Sequence, residues 1–219
     1  MNALTQAIVR NAMGLGIFAL VTAGLIAATQ ILTAERIDRQ VREAEAGALR
    51  EVVPDRIHDN DLLDDYFTLP ASEELGRDEP YTGYRARRDG EVSAVVLPIT
   101  APNGYSGNID LIVAIDRDGE LLGVRVTSHQ ETPGLGDRIE LRKDDWILDF
   151  EGRSLENPEP EHWHVVPDGG EFDAFSGATI TPRAVVRAVY RSLVFFEEHR
   201  EAVLDEAPLP WDEYNGDMH

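Results

Sequence analysis

Between Arg10 and Glu35 the chain carries twenty-four consecutive residues without a charge, NAMGLGIFALVTAGLIAATQILTA. At about 1.5 Å per residue, a helix of that length crosses a hydrocarbon core of roughly 30 Å. Gly14, Gly16 and Gly24 weaken a helix in water but are frequent in membrane helices. A cleaved secretory signal is the alternative. The run is longer than the apolar part of such signals, and no good small-residue cleavage pattern follows it. We therefore expect an uncleaved transmembrane helix over residues 12–34, preceded by a short amino-terminal segment, residues 1–11. Arg10 lies on one side of the run. Arg36, Arg39 and Arg42 lie on the other, interleaved with Glu35, Asp38 and Glu43. The distribution of positive charge alone leaves the orientation open.

Beyond the anchor, Ile37, Val41, Ala44, Ala48 and Val52 recur at helical spacing, which predicts an amphipathic stalk that Pro54 ends. HDNDLLDDY, from His58, is acidic and turn-rich, so residues 35–80 read as stalk and surface connection. From Tyr81 the pattern becomes strand-like. TGYRARRDGEVSAVVLPI and IDLIVAIDRDGELLGVRVTS each place an Asp-Gly turn between two apolar runs. A short helix is expected at Trp146–Phe150, a strand at Trp163–Val166, and a last helix opened by Thr181 as cap with Pro182 at its first position. Val185, Ala188, Val189, Ser192, Leu193 and Phe196 form that helix's apolar stripe. Hairpins followed by a terminal helix, with no strand–helix–strand rhythm, indicate an α+β fold around an antiparallel sheet. The folded domain is expected over residues 81–200, followed by an acidic tail, 201–219.

Composition removes several functions. A formal charge of -21 repels nucleic acid. The absence of cysteine removes disulfides, thiolate metal sites, iron–sulfur clusters and cysteine nucleophiles, so redox work requires a borrowed cofactor. Of 20 basic residues, only Lys143 is a lysine. Salt adaptation and an arginine-biased genome explain that deficit equally well.

Three stretches are candidates for chemistry. In DAFSGATITPRAVV, Asp173 to Val186, Thr179 falls just before a helix start, where unpaired N–H groups and the helix dipole favour a phosphate. Gly177 and Ala178 leave room for a bulky group, and Arg183 and Arg187 either reach toward an anion or face solvent. A capped turn is the plainer reading. HQETPGLG, His129 to Gly136, lacks the spacing of a Walker loop or a dinucleotide fingerprint. His129 and Glu131 form either an acid–base pair or part of an ordinary loop with a satisfied histidine. HWH, His162 to His164, puts two imidazoles on one strand face without an evident third ligand.

Taken together and in order, these segments resemble a known family, RnfG (also RsxG), a component of the Rnf ion-translocating electron transport complex. The likeness lies in IVRNAMGLGIFALVTAGLIAATQILTAERI, HDNDLL, GYSGNIDLIVAIDRDGELLGVRVTSHQETPGLG and FSGATITPRAVV. NqrC, from the sodium-pumping quinone reductase, shares the flavin domain, with an anchor less like this one. The resemblance implies a membrane-anchored flavoprotein without stand-alone catalysis. It would relay electrons in a complex that couples ferredoxin–NAD chemistry to ion translocation.

It also implies a covalent FMN, joined by a phosphoester to Thr179 through a dedicated flavin transferase. Asp173, Ser176, Gly177 and Ala178 would complete the recognition motif, with Asp173 assisting metal-dependent transfer. His129, Glu131, Thr132, Gly134 and Leu135, in the loop from His129 to Gly136, would lie against the flavin. The amino terminus would be cytoplasmic and the flavin domain periplasmic, on the bacterial inner membrane. RnfD, itself a flavin carrier, RnfA and RnfE would be its neighbours. An NqrC-like component and a cofactor-free structural or binding module of the same fold are the alternatives.

Overall fold

The computed structural model describes residues 3–204; Met1, Asn2 and residues 205–219 of the expected acidic tail lie outside the described residues. The chain divides into two compact units after Glu45. The first belongs to helix α1, Ala3–Val52, which holds the one apolar segment among the described residues long enough to cross a membrane. Leu15, Phe18, Leu20, Leu25 and Leu32 are all exposed along it. Its threonines are satisfied within the helix. Thr22, Thr29 and Thr33 donate to the carbonyls of Phe18, Leu25 and Thr29, each at 2.8 Å. Polar side chains that close their own hydrogen bonds in this way are tolerated in hydrocarbon.

The second unit is built on five strands, β1 Tyr66–Leu69, β2 Tyr81–Arg88, β3 Glu91–Ala101, β4 Ile109–Asp116 and β5 Leu121–Ser128. They pair antiparallel in sequence order, a meander. The central strands are apolar on both faces, because both faces are covered. On one, Val95, Leu97 and Ile99 of β3 and Leu111, Val113 and Ile115 of β4 meet Val185, Val189, Leu193 and Phe196 of α2, Ile180–Glu198. On the other, Ala94, Val96, Ile112 and Ala114 meet Leu49 and Val52 from the end of α1, with Val53 and Leu62. Each buried aliphatic side chain contributes about 1.5–3 kcal/mol relative to exposure. A last helix, α3, spans Arg200–Leu204. Arg85 of β2 donates to the Val203 carbonyl at 2.9 Å, which ties α3 to the sheet.

Sequence and structure differ at several points. The acidic connection contains β1, a strand not anticipated, whose Phe67 and Leu69 alternate inward. The expected strand at Trp163–Val166 is absent. Two 3₁₀ turns, Pro160–His162 and Val166–Asp168, flank a single bridge between Val165 and Phe172. Pro167 has no N–H for a ladder, and Trp163 instead packs at 5.1 Å on the Phe172 ring. The short helix at Trp146–Phe150 is a 3₁₀ turn. Of the predicted stalk stripe, Ile37 and Val41 are exposed, while Val52 is buried in the second unit.

The end of α1 approaches β5 closely. A Cβ placed on Gly123 would lie 3.1 Å from Val52 Cα and 3.2 Å from its carbonyl oxygen. Both neighbours are backbone and have little room to yield. Gly123→Val is expected to lower stability by about 1–3 kcal/mol, measured as a reduced denaturation midpoint of the full chain in detergent.

Candidate functional site

The segment before α2 is fixed at its start and open at its end. Trp146 Nε1 donates to the Asp173 carbonyl at 2.9 Å. Two residues on, the buried Phe175 ring meets Trp146 edge-on at 5.1 Å and lies under the Arg138 guanidinium at 4.7 Å. A tight turn follows, closed by Ala178 N–H to the Phe175 carbonyl at 3.1 Å. Within it, Gly177 has φ +85°, a left-handed conformation that disfavours side chains. The nearest atom to a Cβ there would be Leu135 Cδ2 at 3.6 Å, which places the loop apex beside the turn. Ser176 and Thr179 are exposed, and Ala178 is half-buried against the core.

Helix α2 begins at Ile180, so Thr179, not Thr181, occupies the capping position. Its side chain makes no capping bond, and among the described residues its hydroxyl has no partner. Thr181 was expected to be the cap. Instead it is fully buried, and its hydroxyl donates in a short hydrogen bond to Glu131 Oε2. Two threonines that flank Ile180 are thus chemically distinct, one committed inside the fold and one free at the surface.

Glu131 organises the surroundings. Its side chain is buried, and Oε1 accepts the Ser106 N–H at 2.9 Å while Oε2 accepts from Thr181. One carboxyl group therefore joins the β3–β4 connection, the loop after β5 and the first turn of α2. His129 braces the same loop. Its Nδ1 accepts the Glu131 N–H at 3.0 Å, which puts the ring proton on Nε2, directed at Glu140 Oε1 at 2.8 Å. The hydrogen bond from His129, together with one from Arg142, holds the Glu140 carboxyl below the usual range. His129 and Glu131 share no side-chain contact of the acid–base kind; both are turned to structural bonds.

The loop apex is what remains accessible. Thr132, Pro133, Gly134 and Leu135 are exposed. The apex is closed by Leu135 and Gly136 N–H groups on the Thr132 carbonyl, both at 3.1 Å, and by Gly134 N–H on Asp137 Oδ1 at 2.7 Å. Of the expected site residues, the structure brings Leu135 to Gly177, buries Glu131 and leaves His129 half-buried. Asp173 lines a cavity of about 340 Å³ with Asp149, Asp145 and Arg138. Burial, and then the charge of Asp173, pushes the Asp149 carboxyl up. The roles of Ser106, Thr181, Trp146 and Phe175 lay outside the sequence reading, because each acts through a partner remote in sequence.

The two imidazoles of HWH do not share a strand face. His162 instead groups with Glu159 and Glu161, their ligand atoms within 4.8 Å of one another. Both carboxylates are exposed, and such groups are common on surfaces without an ion.

If Glu131 holds this corner together, Thr181→Val should leave a buried oxygen of Glu131 unsatisfied and cost about 1–3 kcal/mol. Glu131→Ala should cost at least as much. Thr179→Val should leave the denaturation midpoint unchanged.

Comparison with known proteins agrees with this architecture. Residues 1–52 match the RnfG N-terminal region, and residues 104–194 match the FMN-binding domain. The G subunit of the ion-translocating oxidoreductase complex of Pseudomonas aeruginosa (strain UCBPP-PA14) is 50% identical over 93% of this chain and 96% of its own length. The protein of the same name from Shewanella piezotolerans is 43% identical, over 92% and 95%. Among solved structures, the C subunit of the Na(+)-translocating NADH-quinone reductase from Parabacteroides distasonis has a similar fold. Its TM-score is 0.50 at 17% identity, covering 74% of this chain and 94% of that one. With half its residues identical across almost its whole length, the chain belongs to the RnfG family, the G subunits of ion-translocating oxidoreductase complexes.

Proposed function

We propose that this chain is a membrane-anchored flavoprotein subunit that carries FMN on Thr179 and relays electrons within an Rnf-type ion-translocating complex. The observation that carries the reading is the exposed, unpartnered Thr179 hydroxyl at the amino terminus of α2, inside the FMN-binding domain match. FMN, when bound, supplies the reversible electron chemistry that this cysteine-free chain lacks.

The protein's own groups suit that attachment. The first N–H groups of α2 have no intrahelical acceptors and face an anion joined at Thr179. Gly177 leaves space above the turn, and the apex residues Thr132, Gly134 and Leu135 flank it. Ser176, Ala178 and the exposed Asp173 complete the segment that a flavin transferase would recognise, with Asp173 assisting a metal-dependent transfer. His129 and Glu131 serve by holding the loop and helix in place. They need not touch the flavin. A covalent link removes the cost of rebinding a cofactor in a compartment without a flavin pool.

In this reading α1 spans the inner membrane with its amino terminus in the cytoplasm, and the second unit is periplasmic. RnfD, RnfA and RnfE are its neighbours in the complex. An NqrC-like role is less favoured, since the relatives at 50% and 43% identity are named as G subunits of the ion-translocating complex and the NqrC likeness at 17% concerns fold alone.

Native membranes resolved on a denaturing gel should give a fluorescent flavin band at this chain's mass. Thr179→Ala should abolish the band, and Thr181→Ala should retain it in whatever protein folds; the reverse pattern refutes the assignment. Protease added outside intact spheroplasts should digest the second unit, whereas complete protection contradicts the periplasmic orientation.

A further inference from the structure

As a membrane anchor with a stalk, α1 passes from lipid into water, and one stripe of its surface suits neither. Ile26, Gln30, Thr33, Ile37, Val41 and Ala44 follow one another at steps of three or four residues, so they share one face of the helix. All six belong to the first unit.

The stripe is polar where it faces lipid. Gln30 falls inside the expected span, residues 12–34. Its carboxamide is exposed and, among the described residues, makes no hydrogen bond, unlike the self-satisfied hydroxyl of Thr33. A carboxamide carries two N–H donors and an acceptor, and hydrocarbon offers them no partner. Helical side chains lean toward the amino terminus, which from Gln30 is toward the middle of the span and away from its nearer end. Past Ala34 the mismatch reverses. Val41 lies about 10 Å further along the axis, beyond a headgroup layer of roughly 5–8 Å. Yet Ile37 and Val41 are 53% and 58% exposed.

Both mismatches are relieved by one thing, a protein surface that continues from the membrane into water along this face. The stripe also has the relief that such a surface needs. Ile26, Thr29, Gln30 and Thr33, with Leu25, surround a shallow depression. Positions i, i+3, i+4 and i+7 are the four that form a hole for a side chain from a neighbouring helix.

We propose that this stripe is the docking seam of α1 and that its occupant is a transmembrane helix of another subunit of the ion-translocating complex. That helix hydrogen-bonds Gln30 within the membrane and, where it emerges, covers Ile37 and Val41 with apolar side chains. The inference rests on α1 spanning the membrane. A second copy of this chain is the weaker occupant, because each copy brings a formal charge of -21 and like charges repel. Membership of the RnfG family places other subunits at hand.

The test uses the full-length chain produced with the rest of its complex. A photoreactive benzophenone side chain replaces Ile37, Val41 or Arg39 in turn, Arg39 lying on the opposite face. On illumination of native membranes, positions 37 and 41 should give an adduct that mass spectrometry places on a transmembrane helix of another subunit of the complex, and position 39 should give little. No adduct from the seam positions overturns the proposal, as do equal yields from position 39. A product at twice the chain mass also overturns it, and would make the seam a self-association surface. In detergent, Gln30→Leu, which keeps the span apolar, should lower the fraction of chain that co-purifies with the other subunits about threefold. Leu32→Ala, on another face, should leave that fraction unchanged. Equal losses from the two variants, or none from Gln30→Leu, overturn the proposal. Release of the wild-type chain from membranes by alkaline carbonate refutes the transmembrane reading and the seam together, whereas failure of the seam alone leaves the chain integral to the membrane.

Discussion

The buried carboxyl group of Glu131 is the point through which the candidate site is organised. It lies on a loop after β5 and takes hydrogen bonds from the β3–β4 connection and from the first turn of α2. A carboxyl group withdrawn from water is costly unless its oxygens find donors. Here both do, and the donors come from two segments that sequence does not otherwise link. The arrangement converts one residue's need for partners into a fixed relation among three segments. His129 extends the same logic outward, linking the Glu131 backbone to the Glu140 side chain. The exposed apex at Leu135 and the turn at Gly177 then meet as a consequence of bonds made beneath them.

The sheet supplies the platform for this corner. Because β3 and β4 are covered on both faces, their positions are set by two apolar clusters at once. The connection between them holds Ser106, so a stable hairpin presents that N–H to Glu131. Helix α2 is fixed along its length by Val185, Val189, Leu193 and Phe196, which leaves Thr179, at its amino-terminal end, exposed. Trp146, Phe150, Trp163, Phe172 and Phe175 fill the space beside it, with successive ring contacts from 4.7 to 6.3 Å. That aromatic cluster stands in for regular secondary structure through the long stretch between β5 and α2.

What could be read from sequence was whatever depends on near neighbours. Asp-Gly turns between apolar runs revealed both hairpins, and period-3.6 spacing revealed the buried stripe of α2, every member of which is buried. Strand β1 was hidden because four residues inside an acidic run give too short an alternation. The strand expected at Trp163–Val166 failed because ring packing and Pro167 outweighed its apolar composition. Thr181 looked like a helix cap because Thr-Pro is a local signal; its actual partner lies fifty positions earlier. The residue types of the candidate site were therefore legible, while the distinction between a free and a committed hydroxyl was not. That distinction is a property of tertiary burial.

For the proposed attachment at Thr179, the contrast between the two threonines has a bearing on the order of events during maturation. In an extended chain, the hydroxyls on either side of Ile180 are equally reachable, and a modifying enzyme must discriminate by neighbouring residues alone. Once the domain has collapsed, Thr181 is sequestered and Thr179 is the threonine still offered to solvent. Folding before modification would thus act as a proofreading step, with compaction itself excluding the wrong acceptor.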